Sequence, residues 1–377
     1  MYFLNSKTAQ IDDLLARAAE NLQLDKTRRE KIESSYKAIQ DVLDNDQVYF
    51  HSKNFEIYPQ GSVRIGTTVK PIAANEFDLD IVLHIKDNVY EQTDPMKVFN
   101  ELKRVLQENG NYKDKVKPKT RCVRLNYTGD YHMDILPGCQ HNVYNDDKIV
   151  IPDRELKKWL ISNPRGYAKW FLGKAESVKQ TLLEKAYAAE EIPSDEFATK
   201  KPLQRAVQII KRYRDLFFEK SPDYATPSIV ITTLAGQLYQ NQDSIFETID
   251  NIITQIYGKV NLSRTKRIKV LNPVDNEEDF TDKWEREPKY YTEFIRFTEA
   301  LYQSWQKLKQ NNGIVEESNI LKGLIGDSLY SDSIKQQTLL TEDYRRKGKV
   351  FSSSATGLLG SQKISDKPIQ KNTFFGE

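Results

Sequence analysis

Tyr58-Pro59-Gln60-Gly61-Ser62, followed by Gly66-Thr67 and then by Glu76-Phe77-Asp78-Leu79-Asp80-Ile81-Val82-Leu83, is the stretch that decides the fold of this chain. Residues 77–83 are apolar and β-branched behind a turn-like flank, which predicts a strand whose alternate side chains share a face. Asp78 and Asp80, sixteen and eighteen residues after Ser62, then point the same way. Two carboxylates held together in an apolar strand repel each other and resist ionisation unless a divalent cation neutralises them, and hard oxygen ligands suit Mg²⁺ or Mn²⁺. Upstream, residues 54–58 read as a short strand that Pro59 ends. Gly61-Ser62 then opens a helix, where free backbone N–H groups and a small hydroxyl can bind phosphate, and the glycine lets the backbone approach closely. Taken singly, these features are also what a capped turn and a solvated strand edge give. Together, at this spacing, they predict a phosphate cradle beside a two-carboxylate metal site.

A metal site of this kind calls for a third carboxylate. Cys122-Val123-Arg124-Leu125-Asn126-Tyr127 and Tyr131-His132-Met133-Asp134-Ile135-Leu136-Pro137 read as two strands joined by the turn Thr128-Gly129-Asp130. Asp134, between Met133 and Ile135, sits where an unpaired charge is costly, so it is read as the third ligand. The alternative is that it caps a turn or pairs with Arg124.

The order Gln60-Gly61-Ser62, Gly66-Thr67, Asp78-x-Asp80 and Asp134 resembles the DNA polymerase β nucleotidyltransferase superfamily. More narrowly, the chain resembles the bacterial CD-NTases, which make cyclic oligonucleotide signals in anti-phage CBASS systems and are related to animal cyclic GMP-AMP synthase. Further segments carry the resemblance: residues 201–215, residues 227–235, and Asn272-Pro273-Val274 followed by Phe280-Thr281-Asp282-Lys283-Trp284, so that it spans roughly residues 1–330.

The resemblance implies an α+β fold in which a polymerase β-like nucleotidyltransferase lobe, a mixed sheet with helices, meets an α-helical lobe across an active-site cleft. It implies that Asp78, Asp80 and Asp134 hold two Mg²⁺ (or Mn²⁺) ions and that Asp134 orients or deprotonates the acceptor ribose hydroxyl. Gln60, Gly61 and Ser62 would line the nucleotide site. Lys211, on a helix whose apolar set is Leu203, Ala206, Val207, Ile210 and Phe217, would bind triphosphate with Ser228, the first residue of a helix after Pro227. The substrates implied are ATP and other NTPs, and the product a cyclic di- or trinucleotide read by a downstream effector. Two other readings remain open. One is a linear-oligonucleotide or tailing polymerase, or a protein AMP-transferase, of the same superfamily; the other is a non-enzymatic nucleotide-binding scaffold, to which three carboxylates would be of little use.

Composition narrows the partners. With 56 basic and 54 acidic residues in 377, nothing global demands a polyanion, so a nucleic-acid activator is not expected. Cys122 and Cys139 form no disulfide framework, and 4 histidines are too scattered for a zinc site, so the zinc-bearing insertion of the animal DNA sensors is absent. The apolar runs are too short for a membrane span and the N-terminus lacks a signal pattern, which makes the cytoplasm the expected compartment. The basic run 113–124 reads as a solvated loop entering a strand.

The coarse organisation is a nucleotidyltransferase lobe over residues 1–155, a helical lobe over 156–344 and a flexible tail over 345–377. Residues 11–43 predict one or two amphipathic helices behind the catalytic sheet, and a helix near 95–109 should cover one sheet face. Helical periods are expected over 156–160, 167–183, 203–217, 228–239, 245–257 and 291–308, with Trp159, Trp170, Trp284 and Trp305 in helical core. The tail ends in Phe374-Phe375-Gly376-Glu377. It resembles the ends that a ubiquitin-transfer-like partner joins to targets in some CD-NTase systems, although Glu377 departs from a terminal glycine.

Overall fold

The computed structural model describes residues 7–72, 76–87, 90, 93–127, 129, 131–142, 144–176, 200–310 and 312–346, with short pieces at 351–352, 359–360 and 367–368. Its centre is a seven-stranded sheet of β1 (Phe55–Pro59), β2 (Phe77–Ile85), β3 (Val116–Pro118), β4 (Val123–Tyr127), β5 (Tyr131–Asn142), β6 (Asn145–Asp153) and β7 (Lys158–Ser162). The main path runs β1-β2-β5-β4-β3, and β6 pairs with both β5 and β7. β2 and β5 are parallel; the other pairings are antiparallel. The twelve-residue β5 serves two neighbourhoods, its first half lying between β2 and β4 and its second half pairing with β6.

Two helices cover the sheet's apolar face. α2 (Lys26–Asp44) buries Ile32, Tyr36, Ile39 and Leu43, and Asp25 caps it by accepting the Arg28 N–H. α4 (Pro95–Glu108) begins with proline at its first turn, capped by Asp94, and buries Val98, Phe99, Leu102, Val105 and Leu106. These stripes meet Ile57, Leu79, Ile81, Leu83, Leu125, Met133 and Ile135 in one core. Odd-numbered β2 residues face that core, which leaves Asp78 and Asp80 on the other face.

The helical lobe forms a second core from α1 (Lys7–Asn21), α5 (Pro164–Ala175), α6 (Pro202–Phe217), α7 (Ser228–Leu238), α8 (Ile245–Leu262), α9 (Lys283–Arg286), α10 (Lys289–Lys309) and α11 (Ile314–Ile325), and α12 (Asp327–Arg346) packs on α1. A two-stranded ribbon of β8 (Leu271–Asn272) and β9 (Asp275–Asp279) links α8 to α9.

Several expectations change here. α1 buries Ile11, Leu14, Leu15, Ala18 and Ala19 in the helical core, so only the second of the two N-terminal helices backs the sheet. Residues 156–160, expected to be helical, include the start of β7, and Trp159 packs on the sheet core while its indole N–H donates to the Thr93 carbonyl at 3.1 Å. So short an apolar run has no readable period; pairing with β6 decides it. The basic run contributes the edge strand β3 in addition to a loop. Residues 177–183 of the helix expected from 167 lie outside the described residues, as do 128 and 130 of the hairpin turn, whose Gly129 adopts φ +81°. The stretch read as a tail opens with the end of α12 and includes three two-residue strands, β10 (Phe351–Ser352), β11 (Leu359–Gly360) and β12 (Lys367–Pro368). Residues 369–377, with the terminal aromatics, lie outside the described residues.

Candidate active site

Register places the carboxylates. In the parallel β2–β5 pair Asp80 lies opposite Asp134 and Asp78 opposite His132, so the three aspartates share one sheet face. The Gly-Ser step is fixed against them. Gln60 donates its backbone N–H to the Asp80 carbonyl at 2.9 Å, and the one-turn helix α3 (Gly61–Arg64) starts at once. Gly61 adopts φ +59°, and a Cβ there would lie 2.5 Å from Asp80 Oδ2. Glycine is therefore required twice, for its backbone angle and for close approach to a carboxylate.

These groups line a cleft of about 720 Å³ between the sheet and the helical lobe, within the usual span of ligand pockets. Gly61, Ser62, Asp78, Asp80, Asp134, Lys211 and Ser228 all face it. Gln60 does not line it; its contribution is the backbone hydrogen bond that starts α3.

Electrostatics in the cleft are uneven. Loss of hydration raises Asp80 above the ordinary carboxylate range, and the Asp134 and Asp78 charges add to it, carrying it to about 7. Asp78 is raised by the same desolvation, opposed by the Arg124 guanidinium. Arg124 donates through Nε and Nη2 to the two Asp134 oxygens, each at 2.7 Å, and through Nη2 to Asp78 Oδ1 at 3.1 Å. The pairing of Asp134 with Arg124, weighed above as the alternative to a ligand role, is thus present, and it leaves Asp134 in the cleft. Three acids on one wall, two of them disfavoured as anions, are a donor set that fits a hard divalent cation, which Asp78, Asp80 and Asp134 would hold. Among the described residues no three His, Cys, Asp or Glu side chains are already arranged as a metal cage.

The opposite wall is α6 and the start of α7. Four α6 side chains donate to carbonyls of the segment after the Gly-Ser step, between Ile65 and Lys70. Gln204 Nε2 donates to Ile65 at 2.9 Å, Lys211 Nζ to Thr67 at 2.9 Å, Gln208 Nε2 to Thr68 at 2.7 Å and Arg212 Nη2 to Lys70 at 2.5 Å. Lys211, expected to face phosphate, is buried and spends one N–H on this ladder while still bordering the cleft. Burial and the nearby Arg214 charge lower its ammonium to about 8. Ser228 opens α7 as expected, and its hydroxyl accepts from Arg214. Arg124, Gln204, Gln208 and Arg214 were missed as site residues. The signal for the ladder was available: Gln204, Gln208, Lys211 and Arg212 are polar side chains at helical spacing on a helix expected to bury apolar ones.

Residues 10–174 match the model of the Second Messenger Oligonucleotide or Dinucleotide Synthetase domain. A protein of Roseivirga ehrenbergii named c-di-GMP synthase is 42% identical over 375 residues, which is 99% of this chain and 99% of that one. The chain belongs to the bacterial CD-NTase family. It is accordingly an enzyme, a nucleotidyltransferase of the cyclic-dinucleotide-synthesising kind, with an α+β fold. The cyclic dinucleotide synthase CdnG of Bradyrhizobium diazoefficiens is 24% identical, with 93% of this chain and 91% of that one covered. The structure of that CD-NTase in complex with GTP superposes with a TM-score of 0.71 at 22% identity, covering 87% of this chain and 99% of the other, which shows the shared fold. Among the described residues of this CD-NTase no helix is long and apolar enough to cross a membrane.

Proposed function

We propose that this CD-NTase condenses two molecules of GTP into cyclic di-GMP. In each step a ribose hydroxyl oxygen of one nucleotide bonds to the α-phosphorus of the other, the bond to the β-phosphate breaks, pyrophosphate leaves and the hydroxyl proton is lost. The observation that carries the base assignment is 42% identity, over 99% of both chains, to a relative named for that product. The nucleotide in the CdnG complex supports it.

Within this reading Asp78, Asp80 and Asp134 would hold two Mg²⁺ or Mn²⁺ ions, which when bound would supply charge neutralisation at the phosphates and lower the pKa of the attacking hydroxyl. Asp134, oriented by Arg124, would position that hydroxyl or accept its proton. Gly61 and Ser62 hold the triphosphate from the sheet side, and Lys211 and Ser228 from the helical side. The work would be cytoplasmic and its product read by a downstream effector in anti-phage defence, with the sheet lobe and the helical lobe as the two catalytic bodies.

The test is incubation of the full chain with each NTP and with all four, in Mg²⁺ or Mn²⁺, followed by phosphatase and mass spectrometry. A phosphatase-resistant product at the mass of two condensed GMP units from GTP alone is the expected result. A resistant product containing adenine or pyrimidine would overturn the base assignment, and a phosphatase-sensitive ladder would favour a linear polymerase.

A further inference from the structure

The helical wall carries a second cation besides Lys211. Arg214 lies one turn beyond Lys211 on α6 and borders the same cleft. Its Nε donates to Asp215 Oδ1 at 2.8 Å and its Nη2 meets the same oxygen, which fixes the plane of the guanidinium. Its Nη1 turns to the start of α7, donating to the Ser228 hydroxyl and, at 3.4 Å, to the Thr226 carbonyl.

Two consequences follow from the chemistry of the groups. A guanidinium has N–H donors and no acceptor, so in the Arg214–Ser228 bond the serine oxygen must be the acceptor. The Ser228 O–H proton is then left to donate elsewhere, at the head of an eleven-residue helix whose Val230 N–H closes the first turn on the Pro227 carbonyl. Asp215 engages Nε and Nη2, so Nη1 is the nitrogen turned toward Ser228, and the guanidinium borders the cleft. A planar fork beside a hydroxyl donor is the arrangement that recognises a phosphate group, whereas Lys211 offers a point charge partly committed to the Thr67 carbonyl.

We propose that Arg214 is a further phosphate-binding residue of this site, gripping the terminal phosphate of the bound nucleoside triphosphate together with Ser228, whose hydroxyl it sets as a donor. This rests on the nucleotide reading of the cleft. Asp215 is the positioning residue: it holds the fork in register before the nucleotide arrives.

The experiment compares the affinities of the full chain for GMP and for guanosine 5′-(α,β-methylene)triphosphate in Mg²⁺, which separates binding from turnover. The wild type should prefer the triphosphate, and Arg214→Ala should cut that preference by roughly 10- to 100-fold, the usual cost of a charge-assisted hydrogen bond, with GMP affinity unchanged. Arg214→Lys should fall between, having charge without the fork. Ser228→Ala on the Arg214→Ala background should add less than it does alone, because the two act on one phosphate. A merely structural arginine would weaken GMP and triphosphate equally, and that result, or an unchanged preference in Arg214→Ala, overturns the proposal. If Arg214→Ala fails to fold, Arg214→Lys carries the same test, with an undiminished preference counting against the fork. A wild type with no preference for the triphosphate would remove the nucleotide reading and the role of Arg214 with it; a preserved wild-type preference isolates the failure to Arg214.

Discussion

On the sheet wall of the cleft Asp78, Asp80 and Asp134 come from two paired strands; on the helical wall the cations Lys211 and Arg214 come from α6, with the carboxylate of Asp215 beside them, and Ser228 opens α7. The sheet wall is rigid by construction. Asp80 and Asp134 are locked opposite one another by ladder register, and Gly61 is pressed against Asp80 with no room for a methyl group. The helical wall instead reaches across with long side chains, and its contacts to the sheet lobe run through side-chain-to-carbonyl bonds. In the proposed reaction, chemistry that must be positioned to a fraction of an ångström would sit on the first wall, and adjustable grip on a charged substrate on the second.

The largest expected effect tests the sheet wall directly. Asp80→Asn should lower product formation from NTPs by about a thousandfold or more, since a neutral amide cannot replace a carboxylate in holding a divalent cation. The same change should leave the thermal midpoint equal or raised, because burial and two neighbouring acids already disfavour the Asp80 charge. Wild-type turnover in Asp80→Asn, measured by pyrophosphate release, would break the assignment. Gly61→Ala comes next. It forces φ +59° on a residue with a Cβ and drives that atom to 2.5 Å from Asp80 Oδ2. Activity should fall by about a hundredfold, as for a reacting group displaced by about an ångström, with a stability loss of about 1–3 kcal/mol on denaturant unfolding. Normal kinetics in Gly61→Ala would mean that the close approach has no catalytic consequence.

The difference between the walls also governs what the sequence could reveal. Asp78 and Asp80 were readable because strand period is two and needs only three residues to place both carboxylates on one face. Asp134 followed from its apolar neighbours, and Gly61-Ser62 from turn and helix-start chemistry. The helical wall was legible mainly through resemblance: Lys211 and Ser228 were placed in that way, while Arg214 between them passed unremarked. Arg124 was considered only as a competitor for Asp134, since nothing local says that one guanidinium bridges two strands. Residues 156–160 were misassigned and α1 was attached to the wrong core because pairing and docking partners lie far away in sequence.

A smaller effect concerns the joint where the walls meet. Glu56 on β1 accepts from His84 Nδ1 at 3.2 Å and Arg165 Nη1 at 2.5 Å, and pairs with Lys86 at 3.1 Å; Arg165 belongs to α5 and stacks over the Tyr58 ring at 3.9 Å. Burial alone would raise the Glu56 carboxyl, but the His84 and Arg165 hydrogen bonds and the Arg165 charge outweigh it and hold the group well below the usual carboxylate range. A depressed folded-state pKa stabilises the fold above the unfolded value, near 4.3, and that contribution is lost as pH falls below it. Glu56→Gln should therefore cost about 3 kcal/mol at pH 7, the low end for breaking a buried pair, and the gap from wild type should close as the pH drops below about 4. A gap independent of pH, read from paired unfolding curves, would show that shape and not charge joins the lobes.

The smallest effect sharpens the contrast most finely, because it alters grip without replacing any residue that lines the cleft. Gln208 is fully buried, donates to the Thr68 carbonyl at 2.7 Å, and has an Oε1 with no hydrogen-bond partner. Gln208→Met keeps the volume, removes the bond to Thr68 and also removes the unpartnered oxygen, so the two stability terms oppose each other and the net change should stay within about 1 kcal/mol. What should move is the segment after α3, whose Thr68 hydroxyl reaches Ser62 Oγ at 3.5 Å. Loosening it by one neutral hydrogen bond, about 0.5–1.5 kcal/mol, should raise the KM for NTP by about two- to tenfold while kcat stays near wild type. If kcat falls and KM holds, the ladder belongs with the sheet wall as catalytic positioning. If both stay unchanged, the remaining bonds of Gln204, Lys211 and Arg212 hold the segment without it.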